Sequence, residues 1–310
     1  MRCLILGGGG FIGSFLVDRL LALGHEARIF ERPRVLPYRA FGHGENVEWC
    51  VGDFQSAADV EAAVQGCSVV FHLVSTTLPK NSNDDPIYDV ETNLVGTLRL
   101  LAAAVRCAVK KVVFISSGGT VYGIPNRIPV SEEHPTDPLV SYGIAKLTIE
   151  KYLHLYWRLH GLDYCVLRVA NPFGERQRVD TAQGAVAVFL SRALASEPIE
   201  IWGDGSVTRD YVYIEDVVDA FIMAMNHDGE PRVFNVGSGE GRSLNQLLAI
   251  MEDLLGRPVE RRYMTARKFD VPANVLDITR AWGVLGWQPR VSFREGLQRT
   301  LDWMRNSRAT

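Results

Sequence analysis

The sequence predicts an α/β protein: a doubly wound parallel sheet joined by a smaller, interleaved lobe. Three observations carry this expectation. Short, nearly continuous apolar runs alternate with helical patterns through the first half. The first of these runs ends in a glycine-rich turn that opens a helix. After about residue 170 the alternation breaks, loops lengthen, and Arg and Pro become frequent, as in NPFGERQRVD, GDGSVTRD and RRYMTARKFDVPAN.

Taken in order, RCLIL reads as the first strand and FIGSFLVDRLLALG as the first helix, closed by Gly24. EARIFE and VEWCVGD read as strands two and three, and AADVEAAVQG as the helix after them. SVVFHLV is the fourth strand, VETNLVGTLRLLAAAVRC one long helix, and KKVVFIS the fifth strand. SYGIAKLTIEKYLHLYWRLHG is a second long helix, ended by Gly161, and DYCVLRV is the sixth strand. Strands this apolar need cover on both faces. Residues 1–170 therefore form the sheet domain, rejoined near 232–240 by RVFNVGS as one more buried strand, and 171–310 form mainly the smaller lobe.

Composition narrows the classes of function. The 310 residues are 47% hydrophobic and 22% charged, as in an ordinary globular protein. A net charge of -3 gives no electrostatic reason to expect nucleic acid or an anionic membrane as partner. The five cysteines are scattered, without a zinc-type CxxC spacing, and read as reduced core residues of a cytoplasmic protein with no metal site. The apolar N-terminus mimics a leader, but four glycines would break its helix, and Asp18 and Arg19 interrupt its second half. No run reaches the roughly 18 to 20 apolar residues of a membrane span.

The first strand runs into Gly7-Gly8-Gly9-Gly10-Phe11-Ile12-Gly13, a GxxGxxG spacing on Gly7, Gly10 and Gly13. Such a turn brings backbone N–H groups and the positive end of a helix to a pyrophosphate without a Cβ in the way. A lone glycine pattern is weak; between a strand and a helix it marks a Rossmann-type dinucleotide site. Glu31 closes strand two, where an acid accepts hydrogen bonds from the adenosine ribose and repels a 2′-phosphate, so NAD is favoured over NADP. Arg32 and Arg34 pull the other way. Asp53 and Phe54 stand where they could cover the adenine; the plainer reading of Asp53 is a helix N-cap.

Tyr142 and Lys146 are four apart on a helix and share a face. An ammonium beside a phenol lowers its pKa, and such a phenol can take a proton from an alcohol while hydride leaves the same carbon. A Tyr-Lys pair at this spacing is common by chance. It gains weight one strand past SSGGTVYG (116–123), where three hydroxyls crowd two glycines at a strand end.

With these motifs assembled, the chain resembles the extended short-chain dehydrogenase/reductases, and within them the NAD-dependent nucleotide-sugar epimerases of the UDP-glucose 4-epimerase type. The resemblance covers nearly the whole chain, through GGGGFIG, GDF, TNLVGTLRLL, SSGGTVYG, SYGIAK, LRVANPFG, GDGSVTRDYVYIEDV, FNVGSG and RKFDVPANVLDITRA. It implies that Gly7, Gly10, Phe11, Ile12 and Gly13 hold the NAD pyrophosphate, Glu31 the adenosine ribose, and Asp53 and Phe54 the adenine side. It implies that Leu73, Val74 and Ser75 line the cofactor and that Asn93 orders the site, although Asn93 also suits a helix surface. Tyr142 would be base and acid, with Lys146 on the nicotinamide ribose. Asn171 would touch the sugar nucleotide, Arg209 and Arg267 its diphosphate, and Asp270 its ribose. Guanidinium forks suit a pyrophosphate; the plainer reading of Arg209 is a surface pair with Asp210 or Asp216. Asn274 would leave room for a 2-N-acetyl group, or is a solvated loop residue.

One position departs from the family. A catalytic Ser or Thr is expected four residues before Tyr122, and Gly118 stands there. Ser117 or Thr120 would have to replace it; glycine freedom just after Ser117 favours Ser117. Gly119 and Thr120 occupy the Asp-Glu positions of the related dehydratases, so elimination lacks its acid and base. The implied activity is inversion of C4 in a UDP-sugar or other nucleotide sugar through a 4-keto intermediate. A 4-keto-sugar reductase and a catalytically silent dinucleotide sensor are the alternatives. Apolar stripes on helices 88–107 and 140–160 (Leu98, Leu101, Val105; Leu147, Tyr152, Leu155) suggest a homodimer, or ordinary burial in one chain.

Overall fold

The structure, a computed structural model, describes residues 1–179, 184–266 and 271–309. In chain order the elements begin β1 (Arg2–Leu6), α1 (Phe11–Ala22), β2 (Glu26–Glu31), β3 (Val47–Val51), α2 (Ala57–Val64) and β4 (Val69–His72). Then come α3 (Pro86–Asp89), a π-helical turn (Val90–Val95), α4 (Gly96–Arg106), β5 (Lys111–Ser117), α5 (Ser141–His160) and β6 (Asp163–Val169). The chain continues through β7 (Asn171–Phe173), α6 (Ala185–Leu194), β8 (Ile199–Trp202), β9 (Thr208–Tyr213), α7 (Ile214–Asn226) and β10 (Val233–Val236). It ends with β11 (Gly241–Ser243), α8 (Leu244–Leu255), β12 (Arg261–Met264), β13 (Ala273–Asn274), a second π-helical turn (Ala281–Leu285) and α9 (Phe293–Ala309). Two compact units emerge: residues 1–122, 135–168 and 218–234, and residues 123–134, 169–217 and 235–310.

The first unit is built on a seven-stranded sheet in the order β10-β6-β5-β4-β1-β2-β3, with β1 parallel to both β2 and β4. The order reverses between β1 and β4, so the carboxyl ends of these strands diverge and leave the crevice in which such sheets bind ligands. Both faces are covered. Leu4, Leu6, Val70 and Phe114 pack with Val60 of α2, Leu100 and Leu101 of α4, and Ile149 and Leu153 of α5. On the other face Phe71 meets Phe221 of α7 edge-on, ring centroids 6.2 Å apart, which draws 218–234 into this unit.

The helix expected over 90–107 is not uniform: residues 90–95 form a π turn and only Gly96–Arg106 is α-helical. The wider turn accompanies a set of side-chain bonds around Asn93, described below. Strands three and four end at Val51 and His72, short of Asp53 and Val74. All five cysteines are free thiols; Cys3, Cys67 and Cys165 are buried as expected, whereas Cys50 and Cys107 are only half-buried. Among the described residues no helix is long and apolar enough to cross a membrane.

In the second unit β9 is the central strand, flanked by β11, β13 and β7, and a separate ribbon pairs β8 with β12. Phe173, Tyr211, Tyr213 and Phe293 form an aromatic core with ring centroids 5.1–5.8 Å apart. Asp210 of β9 is fully buried and accepts from Ser238 N–H and Oγ–H, Gly239 N–H and Leu276 N–H, which fixes the FNVGSG loop.

Candidate active site

The glycine turn has the geometry of an anion cradle. Gly7 has φ +84° and donates its N–H to Phe30 O at 3.0 Å, and a Cβ on Gly13 would lie 2.2 Å from Gly7 O. Gly10 caps α1 without a side-chain bond, and the first turn carries no acid. The N–H groups of Phe11, Ile12 and Gly13 thus start a helix whose positive end is unopposed. Gly9 N–H donates to Glu31 Oε1 at 2.8 Å, which fixes the carboxylate at the end of β2. Burial raises the Glu31 pKa, opposed by the N–H groups of Gly9 and Arg32. Arg32 and Arg34 are exposed. Cradle and acid together fit the pyrophosphate and adenosine ribose of NAD.

Around this cradle the expected residues divide. Asp53 is exposed and its Oδ1 accepts Gln55 N–H; the N-cap of α2 is Ser56, not Asp53. Phe54, expected on the adenine side, follows Asp53 in the chain. Its ring is buried in the core against Gly96 and 5.4 Å from the His72 ring, because an aromatic this large is more stable there. Leu73 N–H extends the β4 ladder to Leu6 O, and Ser75 Oγ–H donates to Thr77 O, which shapes the loop after β4. Asn93 is buried rather than on a helix surface: Oδ1 accepts Thr76 N–H at 2.9 Å, and Nδ2–H donates to Asp89 Oδ1 at 2.8 Å.

Tyr142 and Lys146 do share one face of α5, with Nζ 5.5 Å from the phenol ring centroid. The expected lowering of the phenol pKa is not found. Burial and then the negative charge of Asp89 push Tyr142 up to about 12. The Lys146 ammonium donates to Ile115 O at 3.0 Å and lies 4.7 Å over the Phe114 ring. Burial lowers Lys146 to about 8, opposed by Asp89 and Glu150.

The SSGGTVYG turn is anchored from below. Ser116 Oγ–H donates to Glu150 Oε1 at 2.5 Å, Arg168 Nη2 pairs with Glu150 Oε2 at 2.7 Å, and Arg168 Nη1 donates to Tyr122 Oη at 3.0 Å. All four residues are buried. Of the two candidate hydroxyls, Thr120 Oγ1 is sealed from solvent without a hydrogen-bond partner, behind Gly143 of α5. Ser117 is half-buried at the end of β5.

The second unit holds a cavity of about 400 Å³ whose lining includes Asn171, Phe189, Arg192, Trp202, Arg209 and Tyr211. Asn171 Nδ2–H donates to Asp210 O at 2.9 Å, and Arg209 Nη1–H to the carbonyls of Thr208 and Val271. Asp210, one partner considered for Arg209, accepts from Ser238, Gly239 and Leu276, and Asp216, the other, accepts the N–H groups of Arg290 and Val291. Asn274 is fully buried on β13, not a solvated loop residue, and does not line the cavity. Arg267 and Asp270 lie outside the described residues.

Asp89, Ser141, Glu150 and Arg168 carry no motif that singles them out in the sequence. Two signals were available: Asp89 stands four before Asn93, and Glu150 four after Lys146, each pair on one helical face.

Residues 3–237 match the model of the NAD dependent epimerase/dehydratase family. Over 316 aligned residues the chain is 41% identical to a UDP-glucose 4-epimerase of Mycolicibacterium smegmatis, covering 99% of each. The UDP-glucose 4-epimerase of Thermotoga maritima, solved with UDP-glucose, superposes with TM-score 0.93 at 37% identity, covering 99% of both chains. The UDP-glucose 4-epimerase of Thermus thermophilus in complex with NAD superposes with TM-score 0.91 at 33% identity, covering 99% of this chain and 100% of that one.

Proposed function

The chain belongs to the NAD dependent epimerase/dehydratase family, and from that premise we infer that it is an NAD-dependent nucleotide-sugar 4-epimerase. The observation that carries this reading is Tyr142 and Lys146 on one helical face, in a chain that also carries a GxxGxxG cradle and aligns end to end with a UDP-glucose 4-epimerase. NAD, when bound, accepts hydride from C4 of the sugar and returns it.

The chain's own residues do the rest. We assign the pyrophosphate to the N–H groups of the glycine turn and the adenosine ribose to Glu31. Tyr142, as phenolate, takes the proton of the sugar 4-hydroxyl and gives it back after inversion. Lys146 would hold the nicotinamide ribose, and bound NAD⁺ would supply the positive charge that a phenol this high needs to ionise. We assign to Ser117, rather than the sealed Thr120, the hydrogen bond to the sugar oxygen that Gly118 cannot make. With Gly119 and Thr120 in place of Asp-Glu, no acid is present at those positions to expel a 6-hydroxyl.

In the second unit we assign Arg209 and Asn171 to the diphosphate and sugar of the substrate, with the cavity's apolar lining against the nucleoside. The reading for Arg267 and Asp270, diphosphate and ribose, rests on the family resemblance. Asn274, inside the strand pairing, would act on substrate size only through its neighbours. We also propose a homodimer through α4 and α5. Leu155 is 43% exposed and Leu98, Val105, Leu147 and Tyr152 are half-buried, whereas Leu101 belongs to the chain's own core.

The test is incubation with UDP-glucose and with UDP-N-acetylglucosamine, without added cofactor. C4-inverted product is expected; product formed only with added NAD(P)H would make the protein a reductase, and binding without product a sensor.

A further inference from the structure

We infer that Asp89 is a positioning residue for Tyr142, tying the loop after β4, the Asn93 turn and the first residue of α5 to one buried carboxylate. This rests on Tyr142 being the proton-transfer group. Asp89 is completely buried. Its Oδ1 accepts from Thr77 Oγ1 and from Asn93 Nδ2, and its Oδ2 accepts Ser141 Oγ–H at 2.6 Å. Ser141 is the residue before Tyr142, so the bond acts one peptide from the phenol. The same α5 terminus is held twice more: Ser141 N–H donates to Asn83 Oδ1 at 2.8 Å and Tyr142 N–H to Ser82 Oγ at 3.1 Å.

A buried carboxylate is costly unless several donors face it, and here the three side-chain donors come from three segments. The arrangement therefore fixes those segments against one another. It also places a negative charge beside the catalytic pair. The titratable groups that feel it are Tyr142 and Lys146 of α5; Thr77, Asn93 and Ser141 are neutral, Asp85 and Glu91 of its own segment are exposed, and Glu150 acts on Lys146 from below. The charge favours the proton on both groups, so the phenol stays protonated until a positive charge is bound nearby.

Two variants separate position from charge, each made in the NAD-loaded full chain. Asp89→Asn keeps an acceptor for Ser141 and removes the charge; Ser141→Ala keeps the charge and removes the tie. The onset of Tyr142 ionisation is read as phenolate absorbance against the same protein with Tyr142→Phe, with no substrate present. Asp89→Asn is expected to bring that onset about one pH unit lower and to move the acid limb of kcat the same way. Ser141→Ala is expected to leave the onset in place and lower kcat about tenfold with KM little changed, because the phenol is displaced. An unchanged onset in Asp89→Asn, or wild-type kcat in Ser141→Ala, would overturn the inference. Failure of the wild type to turn over UDP-sugars would count against the functional reading, while the titration still decides the role of Asp89.

Discussion

A single methyl group at Gly13 should be enough to block the turn to which the NAD pyrophosphate is assigned. With Gly7 O only 2.2 Å from where a Cβ would stand, Gly13→Ala must push the turn open. The expected outcome is loss of copurifying NAD, read as a fall in the 260/280 nm absorbance ratio, while the circular dichroism of the sheet persists. His72 gives a pH prediction of definite sign. It is buried between the rings of Phe54 and Phe114, its Nε2 bonds Thr97 Oγ1, and burial lowers it to about 3. The unfolded chain takes up that proton near pH 6.5 and the folded chain does not, so stability is present above 6.5 and is lost as pH falls from there towards 3. His72→Gln should flatten this acid slope by about 1 kcal/mol per pH unit in urea titrations between pH 6 and 4; an unchanged slope would show that other groups carry it. At this scale Gly7, Gly13, Tyr142 and Lys146 were legible because each declares itself by spacing. Asp89 and Ser141 were not: their bond joins residues 52 apart, and only folding brings them together.

At the scale of elements, the turn after β5 depends on α5 and β6 more than on its own glycines. The buried Glu150–Arg168 pair holds Ser116 at one end and Tyr122 at the other. Glu150→Ala leaves Arg168 charged and uncompensated in the core, which should cost about 3–5 kcal/mol, read as a lower denaturant midpoint. Glu150→Ala combined with Arg168→Met removes both charges and should recover most of that loss; equal midpoints for the two variants would refute the pairing argument. Strand and helix order was readable from apolar runs and glycine stops. The π turn at 90–95 was not, because the apolar positions of VETNLVGTL satisfy an α-helix equally well, and the deviation accompanies Asn93 bonding Thr76 N–H. The burial of the Phe54 ring was equally hidden, because its fit beside Gly96 joins residues far apart in the chain.

At the scale of the whole molecule, the first unit carries a reversal of strand order between β1 and β4, and the second unit holds a cavity of about 400 Å³. The return of 218–234 to the first unit was visible only in part, since RVFNVGS reads as a buried strand but α7 carries no mark of the sheet it covers. If α4 and α5 form the dimer face, Leu155→Arg should shift the protein from dimer to monomer mass in light scattering with its far-UV spectrum unchanged. In the proposed epimerase, hydride leaves C4 and returns to the same carbon inside one protein molecule. UDP-glucose carrying deuterium at C4, given to the purified protein with unlabelled NADH in solution, tests this directly. UDP-galactose with the deuterium retained at C4 is expected. Product that has lost the label to solution NADH, or that forms only as added NAD(P)H is consumed, would contradict it.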